Sequence, residues 1–241
     1  MQTPFENGDV ISRRNTQSFI GSDQARAFMS QVFTTMAIGL AITGMAAWVV
    51  ANNADFMQFF FTGIMRWIVM LAPLGLVIYL STRIYKMSVQ GASITFATYS
   101  LINGISLAFI FLLYELGTIF QVFLITAGTF GAMALIGATT KVDLSKFRGI
   151  LMFGLIGIII AMLVNFFMQS AMFDYVISII GVLIFAGLTA YDTQKLLEIG
   201  ANSDPEAETT RKVAIIGALA LYLDFINLFL FLLRIFGGSR D

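Results

Sequence analysis

Apolar residues in this chain form seven long runs, separated by short polar stretches and preceded by a polar segment at residues 1–24. Each run is close to the ~20 residues that a helix needs to cross a bilayer core about 30 Å thick. We therefore expect an all-α membrane protein with a polar tail at residues 1–24 and one transmembrane domain at residues 25–238. The predicted helices are 27–51, 63–82, 92–114, 117–139, 149–168, 173–191 and 213–236.

Two of these runs carry local complications. The second contains Arg66 and Pro73, so we expect an arginine that reaches the interface beside Trp67 and a tolerated kink. The third and fourth are separated only by Glu115 and Leu116, and one helix spanning both would overshoot a bilayer, so the chain should reverse there.

Small residues at helical spacing mark expected contacts between helices. Small side chains let membrane helices approach closely. Three such pairs recur: Gly128 and Ala132, Ala186 and Ala190, Ala214 and Ala218.

Composition narrows the class of protein. The 241 residues are 58% hydrophobic and 12% charged, whereas soluble domains carry about 25% charged residues. The net charge of zero gives no reason to expect nucleic acid as a partner. The chain has no Cys and no His, which excludes disulfides, Cys/His zinc sites and nucleophilic catalysis by Cys or a Ser/His pair. No cofactor is expected.

Basic residues are concentrated in the tail and in every second loop, and this pattern predicts an orientation in the membrane. Cytoplasmic loops carry the excess of Lys and Arg, which places the N-terminus in the cytoplasm and the C-terminus outside. Seven crossings agree with this placement. The residues on the basic side are Arg13, Arg14, Arg26, Arg83, Lys86, Lys141, Lys146, Arg148, Lys195, Arg211 and Lys212.

Asp224 lies in the middle of the seventh run. It is about 11 residues in, which is roughly 16 Å at 1.5 Å per residue. A carboxylate at that depth costs on the order of 3 kcal/mol unless it is protonated, paired or hydrated. Gly217, Ala220 and Asn227 share its helical stripe, so this stripe should face protein or water and the helix should sit centrally.

Asp192 closes the sixth run, directly after Tyr191. If that helix continues to about Glu198, Asp192 lies nearer the level of Asp224, and pairing of the two is plausible. Paired carboxylates cannot both ionise cheaply, so such a pair can share a proton, bind a hard divalent cation such as Ca²⁺, or perform acid–base chemistry. In a chain without His the pair is the natural candidate for a pH sensor. The alternative is that each aspartate merely hydrogen-bonds a neighbouring helix.

Three further polar residues are candidates. Arg83 and Lys86 end the second run at a depth where either could meet Asp192, although ordinary anchoring at the interface also explains them. For Asn103 in the third run, a hydrogen bond to a neighbouring helix is favoured over a role in an ion pathway.

Three motifs carry a resemblance to a known family. They are Tyr-Leu-Asp-Phe-Ile-Asn-Leu-Phe from Tyr222 to Phe229, with Arg234 beyond it; Gly-Leu-Thr-Ala-Tyr-Asp-Thr-Gln from Gly187 to Gln194; and Asn-Gly-Ile-Ser from Asn103. Over roughly residues 25–236 the chain resembles the Bax inhibitor-1 (TMBIM) family and is most similar to its bacterial branch.

The resemblance implies a fold and a function. The fold would be six helices around a central seventh, in a multi-pass protein of the bacterial inner membrane. The function would be a pH-sensitive calcium leak in which Asp192 and Asp224 share a proton. Arg83, or Lys86, would latch onto Asp192 in the closed state.

The same resemblance suggests supporting residues and one departure. Tyr191, Asn103 and Asn227 would support the site as polar neighbours. Some relatives carry a glutamate inside the second helix, where this chain reads Leu-Gly-Leu-Val at residues 74–77. An additional acidic step for a cation is therefore not expected here.

Two other classes of function are alternatives to a calcium leak. Intramembrane aspartyl proteases also use two aspartates, but their second motif is Gly-x-Gly-Asp, and here Leu221, Tyr222 and Leu223 precede Asp224. We therefore expect no enzyme. The alternative is an interaction protein that modulates, or is degraded by, a membrane-anchored protease. The tail would then be the segment that the partner binds.

Overall fold

The computed structural model describes residues 23–204 and 207–237, and that part of the chain is helical without a strand. Two 3₁₀ turns, Ile84–Lys86 and Leu144–Phe147, join longer elements. The α-helices are α1 (Asp23–Ala51), α2 (Ala54–Phe61), α3 (Met65–Arg83), α4 (Val89–Leu107), α5 (Ile110–Leu113), α6 (Leu116–Thr139), α7 (Arg148–Met168), α8 (Ala171–Ala201) and α9 (Glu208–Phe236).

The seven predicted segments are confirmed as helices. Seven helices in the described residues are long and apolar enough to cross a membrane. The predicted tail at 1–24 falls mostly outside the described residues, and α1 begins two residues before the predicted domain start.

The sixth predicted helix is longer than its apolar run. The run ends at Tyr191, but α8 continues to Ala201. The extra turns stay helical because they still pack against protein: Leu196 is buried, and Gly200 lies directly against the ring of Phe28 on α1. Asp192 is therefore well inside its helix, as the proposed pairing with Asp224 requires.

The third run is interrupted near its end. α4 stops at Leu107 and the short α5 follows. Tyr114 and Glu115 then adopt extended backbone conformations, so the helix breaks where the sequence predicted a reversal. A short helix that the sequence did not predict, α2, is capped by Asn53, whose side chain accepts a hydrogen bond of 3.1 Å from the backbone of Phe56.

The last helix forms the core. In the most apolar part of α9, 67% of residues are buried, against 6% in α7. α9 packs mainly on α8, α1, α6 and α4, whereas α3 packs mainly on α4 and α7 mainly on α8. The predicted central position of the last helix is therefore confirmed. A closed ring of six helices around it is not shown.

Small residues explain where helices come closest. A Cβ on Gly104 would lie 2.9 Å from Thr43 Cα, and a Cβ on Gly137 would lie 2.8 Å from Ala190 Cα. Ala214 and Ala218 are fully buried, as predicted. The prediction was wrong for the pair of Gly128 and Ala132, which face open space or lie exposed.

Candidate functional site

Asp224 is a buried acid near the middle of α9. The residue is only 5% exposed, and its Oδ2 atom has no hydrogen-bond partner within the described residues. Buried polar atoms are nearly always hydrogen-bonded, and each exception needs an explanation. An unpartnered carboxyl oxygen in the core destabilises the fold unless it gains a proton, an ion or water.

Asp192 is the acid whose charge acts on Asp224. It is half-buried on α8, the helix that packs most extensively on α9. The two carboxyl groups lie near enough for the charge of one to act on the other. No hydrogen bond joins them in the described part of the chain. That the two aspartates form one site stays a prediction, and we call them the aspartate pair.

The cations that act most strongly on Asp192 are Lys195 and Arg148. Lys195 follows one turn later on α8, and its Nζ lies 6.0 Å from the centre of the Tyr191 ring. Arg148 is the first residue of α7. Neither residue was predicted as part of the site, although the spacing of three between Asp192 and Lys195 places them on one face of a helix.

Arg83 and Lys86, the predicted latch, occupy a different position. Both side chains are exposed at the end of α3, and neither forms an ion pair within the described residues. The 3₁₀ turn Ile84–Lys86, which follows Arg83 and contains Lys86, nevertheless packs on α9, with Ile84 fully buried. A latch onto Asp192 therefore remains a prediction for another state of the protein.

A second polar group lies on α9, close in sequence to Asp224. Asn103 Nδ2 donates to the Tyr222 hydroxyl at 2.7 Å, and Thr43 Oγ1 donates to the Ser100 carbonyl at 2.9 Å. The hydroxyls of Tyr222 and Thr43 are 2.6 Å apart. Because the Thr43 proton points to Ser100, Tyr222 must donate to Thr43. We call these four residues the tyrosine cluster.

The tyrosine cluster fastens three helices together. Thr43 lies on α1, Ser100 and Asn103 on α4, and Tyr222 on α9. Each hydroxyl in the chain of hydrogen bonds both donates and accepts, so no buried atom of Tyr222 lacks a partner. The prediction that Asn103 joins helices is confirmed. Tyr222 and Thr43 were missed because the residues that meet are 179 positions apart.

Comparison with known proteins decides the family. The family model described as "Inhibitor of apoptosis-promoting Bax1" matches residues 25–241. The chain belongs to the Bax inhibitor family. It is 47% identical over 217 residues to "Inner membrane protein YbhL" of Escherichia coli, covering 89% of this chain and 93% of that one.

Other bacterial relatives of this Bax inhibitor family protein are similar over the same length. An uncharacterized protein of Borreliella burgdorferi is 42% identical over 215 residues, covering 89% of this chain and 93% of the relative. One of Deinococcus radiodurans is 42% identical over 220 residues, covering 91% and 93%. The bacterial branch suggested by the motifs is confirmed.

The remaining predicted site residues of this family member lie around the pair without bonding to it. Asn227 Nδ2 donates to the Leu223 carbonyl on its own helix at 2.8 Å. Tyr191 is half-buried beside Lys195. Within the described residues neither donates a hydrogen bond to an aspartate, so a supporting role for Tyr191 and Asn227 stays a prediction.

The predicted cation site consists of two acids only. In the described residues there is no group of three or more His, Cys, Asp or Glu side chains that could hold a metal ion. Ca²⁺ takes six to eight oxygen ligands, and two carboxylates supply at most four. Asp192 and Asp224 would therefore need carbonyl oxygens or water to complete a calcium shell.

Proposed function

We propose that this protein is a pH-gated leak for cations, Ca²⁺ in particular, and that the aspartate pair is its proton sensor. The observation that carries the proposal is the buried Asp224 Oδ2 atom, which has no hydrogen-bond partner within the described residues. A fold retains such an atom at a cost in stability, which is typical of a group with a role beyond packing.

The chemistry of the pair favours one shared proton. Two nearby carboxylates repel when both are ionised, and burial adds to that cost, so the pair holds a proton more readily than one exposed acid would. Lys195 lies one turn after Asp192 on α8 and Arg148 begins α7, and a cation near a carboxyl group favours its ionised form. Gain or loss of a proton then changes the charge between α8 and α9, the most extensively packed pair of helices.

A change in charge at this interface has a route to the rest of the bundle. The 3₁₀ turn after α3 rests on α9, so a movement of α9 reaches Arg83. In the proposed closed state Arg83, or Lys86, pairs with an ionised Asp192, and protonation releases it. Such a two-state element needs a bias of only a few kcal/mol.

Calcium is proposed as the passing ion rather than as a resident cofactor. A path that conducts must bind an ion weakly enough to release it. A pair of carboxylates completed by water fits that requirement better than a full protein cage would. The protein would sit in the bacterial inner membrane, as the name of the E. coli relative states for that protein. The basic loops favour a cytoplasmic N-terminus.

The test is calcium influx into liposomes that contain the purified protein and a trapped dye, at a series of pH values. We expect the wild-type flux to change steeply with pH, and Asp224→Asn to lose that dependence because it cannot exchange a proton. Asp174→Asn is the matched control, since Asp174 is on α8 but pairs with Arg234 at 3.4 Å, away from the aspartate pair. It should keep the pH response.

Two outcomes would count against the proposal. Intact pH dependence in Asp224→Asn would remove the aspartate pair as sensor. Absence of flux at every pH would favour the interaction-protein alternative. In that case a deletion of residues 1–22 should change the effects on a protease partner.

A further inference from the structure

One segment next to the aspartate pair is fastened by a single side chain. Gln194, two residues after Asp192, reaches the connection between α6 and α7, residues 140–147. Its Nε2 donates to the Val142 carbonyl at 2.9 Å, and its Oε1 accepts from the Leu144 backbone N–H at 2.8 Å. One amide thus uses both ends on one loop, which fixes its orientation and the position of the loop.

The fastened loop leads directly to Arg148. Leu144 begins the 3₁₀ turn Leu144–Phe147, and α7 starts directly after that turn, at Arg148. Asp143 caps that turn by accepting from the Ser145 N–H at 3.0 Å, so the path from the Gln194 amide to Arg148 is short and ordered. The 3₁₀ turn also packs on α8.

The other end of the loop is held close as well. Gly137, in the last turn of α6, lies so near Ala190 that a Cβ would overlap the Ala190 carbonyl oxygen. Ala190 precedes the Tyr191–Asp192 pair on α8. The α6–α7 connection is therefore fixed to α8 on both sides of Asp192.

We propose that Gln194 is a positioning residue for the aspartate pair: its amide fastens the α6–α7 connection to α8 and so keeps the Arg148 guanidinium where it acts on Asp192. This inference rests on the proposed role of the pair as proton sensor. Arg148 is exposed and forms no ion pair of its own in the described residues, so we argue the position of its backbone from the loop that precedes it.

Other charged residues on the elements around Asp192 are paired or exposed, as Lys141, Asp143, Glu198 and Arg211 are. Lys195 acts from the same helix, Asp224 acts from α9, and α6 carries no charged residue. Lys212 on α9 is paired with Glu208 at 2.8 Å, and Arg26 on α1 is paired with Asp23. Lys146 in the 3₁₀ turn is exposed. Of the cations that act most strongly on Asp192, only Arg148 depends on the loop.

The test is a double-mutant cycle read by the pH midpoint of the pair. The readout is the infrared band of a protonated carboxylic acid, assigned by its loss in Asp192→Asn, which needs no flux. Removing a nearby cation favours the protonated acid, so Gln194→Ala and Arg148→Gln should each move the midpoint upward, by up to about one pH unit. The double variant should match Arg148→Gln alone, because Gln194 acts through Arg148.

Lys195→Gln is the matched control. Lys195 acts on Asp192 without the loop, so its effect should add to that of Gln194→Ala. A midpoint unchanged in Gln194→Ala, or full additivity with Arg148→Gln, would overturn the inference. Hydrogen exchange at the Leu144 amide gives a second measurement: it should accelerate in Gln194→Ala, and unchanged protection would show that the amide does not fasten the loop.

The same variants separate this inference from the proposed function. If the infrared midpoint shifts as expected while no calcium flux is found, the positioning role stands and the leak fails. If the flux depends on pH through Asp224 but ignores Gln194, the leak stands and the positioning role fails.

Discussion

The tyrosine cluster and the aspartate pair share the helix α9, yet they treat a buried polar group in opposite ways. Tyr222 is fully buried, and its hydroxyl has both a donor and an acceptor partner. Asp224, two residues later, is almost as buried and has an oxygen without a partner among the residues that the structure describes. A buried polar group with its hydrogen bonds formed makes the fold more rigid, whereas one without a partner destabilises the folded state. The first is therefore structural, and the second is the candidate for function.

The largest expected effect concerns Asp224. Asp224→Leu removes the unpartnered oxygen, so we expect stability to rise by about 2 kcal/mol while the pH response disappears. Denaturant unfolding in detergent micelles measures the first, and the liposome assay the second. A loss of stability would mean that the carboxyl has a strong partner, and the contrast with Tyr222 would fail.

Next come the glycines beside the two sites. Gly137→Ala and Gly104→Ala each place a Cβ against backbone of a neighbouring helix, so each should cost about 1–3 kcal/mol. Only Gly137→Ala, beside the motif of Asp192, should also move the pH midpoint of flux. Gly128→Ala is the control, since its Cβ meets open space. It should be neutral or slightly stabilising. Equal shifts of the pH midpoint in Gly104→Ala and Gly137→Ala would contradict the difference between the tyrosine cluster and the aspartate pair.

A smaller effect is expected at Tyr222. Tyr222→Phe leaves Asn103 Nδ2 without its acceptor and Thr43 without its donor, which should lower stability by about 1 kcal/mol in a membrane bundle. The pH midpoint of flux should stay in place, because no proton of this cluster exchanges near neutral pH. If Tyr222→Phe moved the midpoint, the cluster would belong to the sensor.

The smallest effect belongs to the loop. The hydrogen bonds from Ser145 hold the pKa of Asp143 below its ordinary value. The cap therefore contributes at neutral pH and is lost only as the pH falls below about 4. Asp143→Ala should weaken the turn by about 0.5 kcal/mol at neutral pH, whereas Asp143→Asn should keep most of the cap. Hydrogen exchange at the Ser145 amide, compared at pH 7 and pH 3, is the measurement.

Much of the fold was predictable because membrane crossing imposes length and hydrophobicity on each helix. The same cost argument found Asp224 and predicted a central last helix. The end of α8 was missed, because Leu196 and Gly200 are held by contacts with other helices rather than by an apolar run. Likewise, spacing alone did not reveal that Gly128 faces open space.

The partners of the site residues were less predictable. Gln194 binds the loop before α7 through two hydrogen bonds that join residues 50 and 52 positions apart. The contact of Thr43 with Tyr222 depends on how α1 and α9 are rotated toward each other. Neither arrangement leaves a periodic signal in the sequence.

The length of α8 gives the site a side. Its 31 residues extend about 46 Å, some 16 Å more than a bilayer core. Asp192 lies nine residues from the end that leads to α9, about 14 Å along the axis. A proton from the compartment bathing that end has a short way to travel, and one from the opposite compartment must pass the buried core of α9. The pair would then report the acidity of one compartment only. With the predicted orientation that compartment is the cytoplasm, and vesicles acidified on one face at a time would reveal the asymmetry.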